Sequence, residues 1–174
     1  VSRGIGDDHV ASEESDPKSV GHSYTFPRDL LTIDDIHNNL LALADMVARR
    51  LRTQDLRAAT VTAFARYGDF GGNGMTITMR EPIADGLALF SSVFDPLKRM
   101  IDLDRGVRLL GISASNLTSA RATSLFHTDQ RRELVTTALD LVAKKYGASA
   151  WRRASTLNTA FFERVSGWHY DVPK

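Results

Sequence analysis

Apolar residues recur along the chain in two rhythms. Between Ile33 and Leu51 they fall at Ile33, Ile36, Leu40, Leu43, Val47 and Leu51. Spacings of three and four lay one apolar stripe along a helix. Thr32 stands at the N-cap with Asp35 three residues on, in the manner of a capping box. Arg49, Arg50 and Arg52 close the last turn, where cations complement the helix dipole. A second stripe, Leu87, Phe90, Phe94, Leu97 and Ile101, predicts a helix over 84–102. A third, Leu134, Ala138, Leu141, Val142 and Tyr146, follows a cap at Thr128 and stops at Gly147. Ser149 is positioned to start a short helix through Arg152 and Arg153.

Elsewhere the rhythm is twofold, and the residues are β-branched or aromatic. Lys18–Phe26 reads as a strand ended by Pro27, and Thr60–Tyr67 as a second. Gly71-Gly72-Asn73-Gly74 reads as a turn. Met75–Met79 returns as a third strand, broken by Glu81-Pro82, and Val107–Ser115 is a fourth. The order is β-α-β-β-α-β, an α+β fold. Two helices with one apolar stripe each can cover one face of a four-stranded sheet. The other face stays open and carries Thr60, Thr62, Phe64, Arg66, Thr76, Thr78, Leu109, Ser113 and Ser115. Such a face is either solvated or a ligand surface.

The flanks differ from this body. Residues 1–17 lack periodicity, carry a net charge of −4 and read as a linker. The body spans 18–118 and has a net charge of +1, while residues 119–174 carry +4. The whole chain of 174 residues has a net charge of only +1, little for a protein gripping a polyanion by charge alone. It has no cysteine, which excludes disulfides, thiolate metal sites and cysteine nucleophiles and fits a reducing cytoplasm. It shows no apolar run long enough to span a membrane and no apolar signal segment. Beginning at Val1, it reads as a fragment of a longer protein.

Catalytic constellations are not in evidence. The glycines at 71–74 lack the Lys-Ser/Thr and helix of a phosphate-cradling loop. His9, His22, His37, His127 and His169 are scattered, with no metal-binding spacing. Judged on its residues, the chain is a binding module, and no cofactor is expected in it.

Several motifs, in order, resemble the little-finger domain of Y-family translesion DNA polymerases of the bacterial polymerase IV type. The run Lys18–Leu30 resembles the start of that domain, and Gly4-Ile5-Gly6-Asp7 the linker before it. Val61-Thr62 through Arg66-Tyr67-Gly68-Asp69-Phe70 resembles one of its strands. Arg108–Leu117 resembles its last strand. Ser124-Leu125-Phe126 with Asp129, Arg131 and Arg132 resembles the start of the tail that follows. The resemblance spans about residues 1–153 and leaves the last stretch unmatched.

The resemblance implies a four-stranded sheet whose open face holds primer-template DNA by its phosphates, without reading sequence. Lys18, Ser19, Val20, Gly21 and His22 then lie on the phosphate-meeting strand, and Thr62, Arg66, Thr76 and Ser113 on the open face. It places catalytic carboxylates and magnesium in a palm domain outside this chain, and makes residues 1–17 the linker from a thumb that is also outside it. It makes residues 119–127 a sliding-clamp segment, with Ser124, Leu125 and Phe126 as contacts, and residues 128–174 a helical tail. A cytoplasmic monomer is expected. Departures are evident: Phe64 stands where the family commonly has Lys, and Met75 near a frequent Arg-Ser. Leu109 and Ser113 replace frequent basic positions, and Ala122 replaces the clamp motif's Gln. The rival reading is a protein-interaction or self-association module, with Phe64 and Leu109 at the centre of its contact.

Overall fold

The computed structural model describes residues 17–119, 130–147, 150–157 and 159. The elements run β1 (Ser19–Leu30), α1 (Ile33–Thr53), β2 (Leu56–Tyr67), β3 (Gly72–Ile83), α2 (Gly86–Lys98), β4 (Val107–Ser119) and α3 (Gln130–Tyr146). A 3₁₀ turn follows at Ala154–Thr156. The expected α+β order is therefore present. The sheet order is β1-β4-β2-β3, with every neighbouring pair antiparallel.

Helix α1 begins as its sequence dictates. The Thr32 hydroxyl accepts from the Asp35 amide at 3.1 Å and donates to the Asp35 carboxylate at 2.6 Å. Its buried side carries Ile36, Leu40, Leu43, Val47 and Leu51. In α2 the cap is Asp85, which accepts from the Ala88 amide at 2.8 Å. The buried stripe of α2 is Leu89, Phe90, Val93 and Leu97 rather than one running from Leu87, which is 37% exposed. The helix also ends at Lys98, short of Ile101. Both helices lie on one face of the sheet, over Val20 and Phe26 of β1, Val61, Ala63, Ala65 and Tyr67 of β2, and Leu110, Ile112 and Ala114 of β4. Small alanines on central β2 let the helices approach closely.

Three expectations are corrected. Strand β1 passes through Pro27, with a shift of register between Thr25 and Leu30, and β3 passes through Pro82. Both are edge strands, where a missing N–H can face solvent. The turn between β2 and β3 is centred on residues 68–71, and Gly72 and Gly74 belong to the strand, opposite Arg66 and Phe64. Helix α3 turns its expected apolar stripe outward: Leu134, Leu141 and Tyr146 are 71%, 63% and 68% exposed. Its inward side carries Thr136, Leu139, Asp140 and Ala143. The flank of α1 is cationic, and this selects a carboxylate. Arg52 holds Asp140 with two hydrogen bonds, at 2.5 and 2.9 Å.

The segment after α3 returns to the same flank. Arg153 donates twice to Asp45, at 2.7 and 3.1 Å, and Arg49 lies over the Trp151 ring at 5.6 Å. Thr156 and Thr159 are buried there. The short helix expected around Arg152 appears instead as the turn at Ala154–Thr156. The cap Thr128, Ser149, the linker 1–16 and the clamp-like residues 120–127 lie outside the described residues.

Candidate nucleic-acid interface

The register of the sheet arranges its open face in four ranks. The first is Ser19, Ser115, Thr60 and Thr78; the second is Gly21, Ser113, Thr62 and Thr76. The third is Ser23, Gly111, Phe64 and Gly74; the fourth is Thr25, Leu109, Arg66 and Gly72. No rank holds an acidic residue. Directly opposed residues of an antiparallel sheet share a face, so each rank crosses all four strands.

Hydroxyls dominate the first two ranks. Thr60 and Thr78 are hydrogen-bonded at 3.2 Å, and Thr62 and Thr76 at 2.9 Å. Each such pair uses one hydroxyl hydrogen and leaves the other for an outside acceptor. The Thr60 oxygen also accepts from Asn116 at 3.1 Å. Asn116 sits at φ 53° on β4, between Ser115 and Leu117, which keep the same register against β2. Asn tolerates that left-handed backbone better than most residues.

The residues picked out from sequence separate into two groups. Thr62, Thr76, Ser113 and Gly21 form a single rank, and Arg66 lies on the same side. Arg66 is exposed, and its side chain makes no hydrogen bond or ion pair among the described residues. Ser19 lies on this face too, and Lys18 lines a recess of about 520 Å³ with Pro17, Ala59, Asn116, Leu117 and Thr118. The side chains of Val20 and His22 face the helices. Val20 is in the core, and His22 is half-buried. Burial first, and the Arg50 charge second, hold the His22 imidazole below its ordinary range. At neutral pH it is uncharged. Only the main chain of these two residues is left to serve the open side.

Two cations escaped the sequence reading. Arg50, read as a helix-end residue, donates to the Gly21 carbonyl at 3.1 Å and so brings its guanidinium to the β1 edge. Arg80 alternates with Met79, which packs on the core, and is exposed on the same side as Thr76 and Thr78. Continuing the alternation of β3 past Met79 shows it, but Glu81-Pro82 reads as a stop.

The Arg66–Phe70 motif is largely architectural. The Tyr67 ring is buried, and its hydroxyl accepts from Asn73 at 3.0 Å and from the Asp102 amide at 2.9 Å. Asp69 pairs with Arg105 and accepts from the Gly71 amide at 3.0 Å. The Arg105 hydrogen bond, and then that amide, hold the Asp69 carboxyl below its usual range. Phe70 projects at the tip, 84% exposed and at φ 66°.

Among the described residues no three His, Cys, Asp or Glu side chains gather as metal ligands. No described helix is long and apolar enough to cross a membrane.

Known proteins are similar to this chain. Residues 17–126 match the family model for the impB/mucB/samB family C-terminal domain. DNA polymerase IV of Desulfatibacillum aliphaticivorans is 28% identical over 153 residues, covering 84% of this chain and 38% of that protein. DNA polymerase IV of Halorhodospira halophila is 34% identical over 117 residues, covering 67% of this chain and 33% of that protein. The chain thus spans about a third of the length of these curated relatives. Among solved structures, a Y-family DNA polymerase chimera of Dbh and Dpo4 superposes with a TM-score of 0.52 at 18% identity. It covers 60% of this chain and 30% of the chimera. That likeness is one of fold, and it agrees with the resemblance carried by the motifs. The chain belongs to the impB/mucB/samB family and holds its C-terminal domain.

Proposed function

We propose that residues 18–118 hold primer-template DNA for a translesion polymerase, by its phosphates and without reading sequence. Polymerisation itself, with its magnesium, is assigned to the part of such a protein that this chain does not span. The observation that carries the reading is the acid-free open face with Arg66 unpaired upon it. Its hydroxyl ranks can donate to phosphate oxygens, and Arg66 can pair with one bidentately. Such contacts fix position and carry no base information. The reading implies a cytoplasmic monomer acting on DNA.

Lys18→Ala and Arg66→Ala are each expected to weaken DNA binding equally for all sequences and to lower the salt slope by ~1. Titration of labelled primer-template at several salt concentrations measures both quantities. Unchanged affinity in both variants would show that DNA lies elsewhere. An affinity that scarcely responds to salt would favour the rival reading, in which Phe64 and Leu109 meet a partner protein.

A sliding-clamp contact is the second part of the proposal. Leu125 and Phe126 supply the apolar anchor, beside Ser124, and Ala122 stands in place of the motif's Gln. Loss of that Gln removes about one hydrogen bond, ~0.5–1.5 kcal/mol, or up to about tenfold in affinity. Weak clamp binding is therefore expected, stronger in Ala122→Gln and abolished by replacing Leu125 and Phe126 with Ala. Surface plasmon resonance on immobilised clamp checks this. No binding even with Gln restored would refute the contact.

A further inference from the structure

Phe64 is the one aromatic residue in the four ranks of the open face. Its own rank is otherwise Ser23, Gly111 and Gly74, so nothing larger than a serine stands beside it there. The ring reaches across from β2 to β4. A methyl group on Gly111 would come within 2.2 Å of Cζ, 2.5 Å of Cε1 and 2.8 Å of Cε2. Near-equal distances to the two Cε atoms, only slightly longer than the distance to Cζ, put that position beneath the ring plane. A position beyond the ring edge would lie farther from both Cε atoms. The ring therefore lies flat on Gly111, with one face against the backbone and the other turned outward. Phe64 remains partly exposed.

Arg66 stands two residues along the same strand, on the same side, roughly 7 Å away. That is a distance one nucleotide spans between base and phosphate. The surround is of Ser, Thr and Gly, with Leu109 the exception. An apolar protein partner would bury those hydroxyls against nothing, whereas a nucleotide offers acceptors to them. Bases within a duplex keep their faces stacked on their neighbours, so away from its ends a duplex presents none, whereas an unpaired base can.

We propose that Phe64 and Arg66 form a single-nucleotide platform, on which an unpaired base stacks against the outer ring face while its phosphate pairs with the guanidinium. This rests on the DNA-holding reading above and names the form of DNA that the centre of the face takes. Stacking is indifferent to base identity, because every base has a π-face.

The test uses the whole chain and two probes, a single-stranded pyrimidine oligonucleotide bearing one 2-aminopurine and a blunt duplex of equal length. Binding of the single strand is expected to change the 2-aminopurine fluorescence. Phe64→Leu, which keeps apolar cover over Gly111 but has no π-face, should weaken single-strand binding between about fivefold and a hundredfold. It should leave duplex affinity where it was, and Phe64→Trp should restore the single-strand affinity. Thermal melts establish that each variant is folded. Single-strand affinity unchanged in Phe64→Leu, or lost equally for both probes, would overturn the platform. Duplex binding with no fluorescence response would overturn the platform and leave the DNA-holding role standing. Binding of neither probe would overturn both.

Discussion

Tyr67→Ala is expected to destabilise the chain by about 3–5 kcal/mol, as loss of a buried aromatic ring does. The ring is 2% exposed in the core between β2 and the helices. Its hydroxyl ties the Asn73 side chain and the Asp102 amide to one point, and Asn73 also donates to the Met100 carbonyl at 2.5 Å. Arg105 stacks on the ring at 4.1 Å. One side chain thus joins the β2–β3 turn to the loop between α2 and β4. Tyr67→Phe keeps the ring and deprives the Asp102 amide of its acceptor, an expected cost of about 1–3 kcal/mol. Denaturant unfolding of both variants separates packing from hydrogen bonding. Equal losses in the two would mean that the hydroxyl, and not the ring, holds this corner.

Gly86→Val is expected to cost about 1–3 kcal/mol, through overpacking where α1 and α2 meet. A Cβ at Gly86 would come within 2.1 Å of Asp45 Oδ1 and 2.9 Å of Asp45 Cα. The carboxylate can swing away, but the main-chain atom cannot without moving the helix. A displaced Asp45 also loses its paired hydrogen bonds to Arg153, so the segment from Ala150 onward should loosen with it. Arg153→Ala removes the same pair without crowding the helices. The two substitutions together should therefore cost less than the sum of each alone. Limited proteolysis should show faster cutting after α3 in both. Wild-type stability in Gly86→Val would show that the helix pair has slack to absorb a side chain.

The open face was legible because alternation along a strand fixes facing. Thr60, Thr62, Phe64 and Arg66 share a side whatever the partner strands do, and Thr76, Thr78, Ser113 and Ser115 take up register opposite them. What alternation does not contain is lateral position. That Gly111 lies beneath Phe64, or that Arg50 reaches the Gly21 carbonyl, depends on strand order and on a helix crossing the sheet. Prolines misled for a physical reason: Pro27 and Pro82 stop central strands but not edges, and edge position is a property of the assembled sheet. Periodicity also failed to orient α3. It marks a stripe as apolar, yet the docked side carries Asp140, paired with Arg52, and the buried Ala143. Val20 and His22 show the same limit. Membership of the right strand placed them near the site, and the pleat turned their side chains away from it.

The interrupted edges have a bearing on how the chain behaves in concentrated solution. An exposed edge strand is a template on which another chain can add, growing towards fibrils or precipitates. Here β1 offers an unbroken ladder only over Ser19–Thr25, before its register shifts and Pro27 removes a donor. On the far side β3 is regular over Gly72–Thr78, with two glycines in that stretch and Pro82 beyond it. Neither margin gives an incoming strand a long, flat, donor-complete run. The sheet can leave a broad face uncovered for a ligand because its margins discourage other copies from extending it.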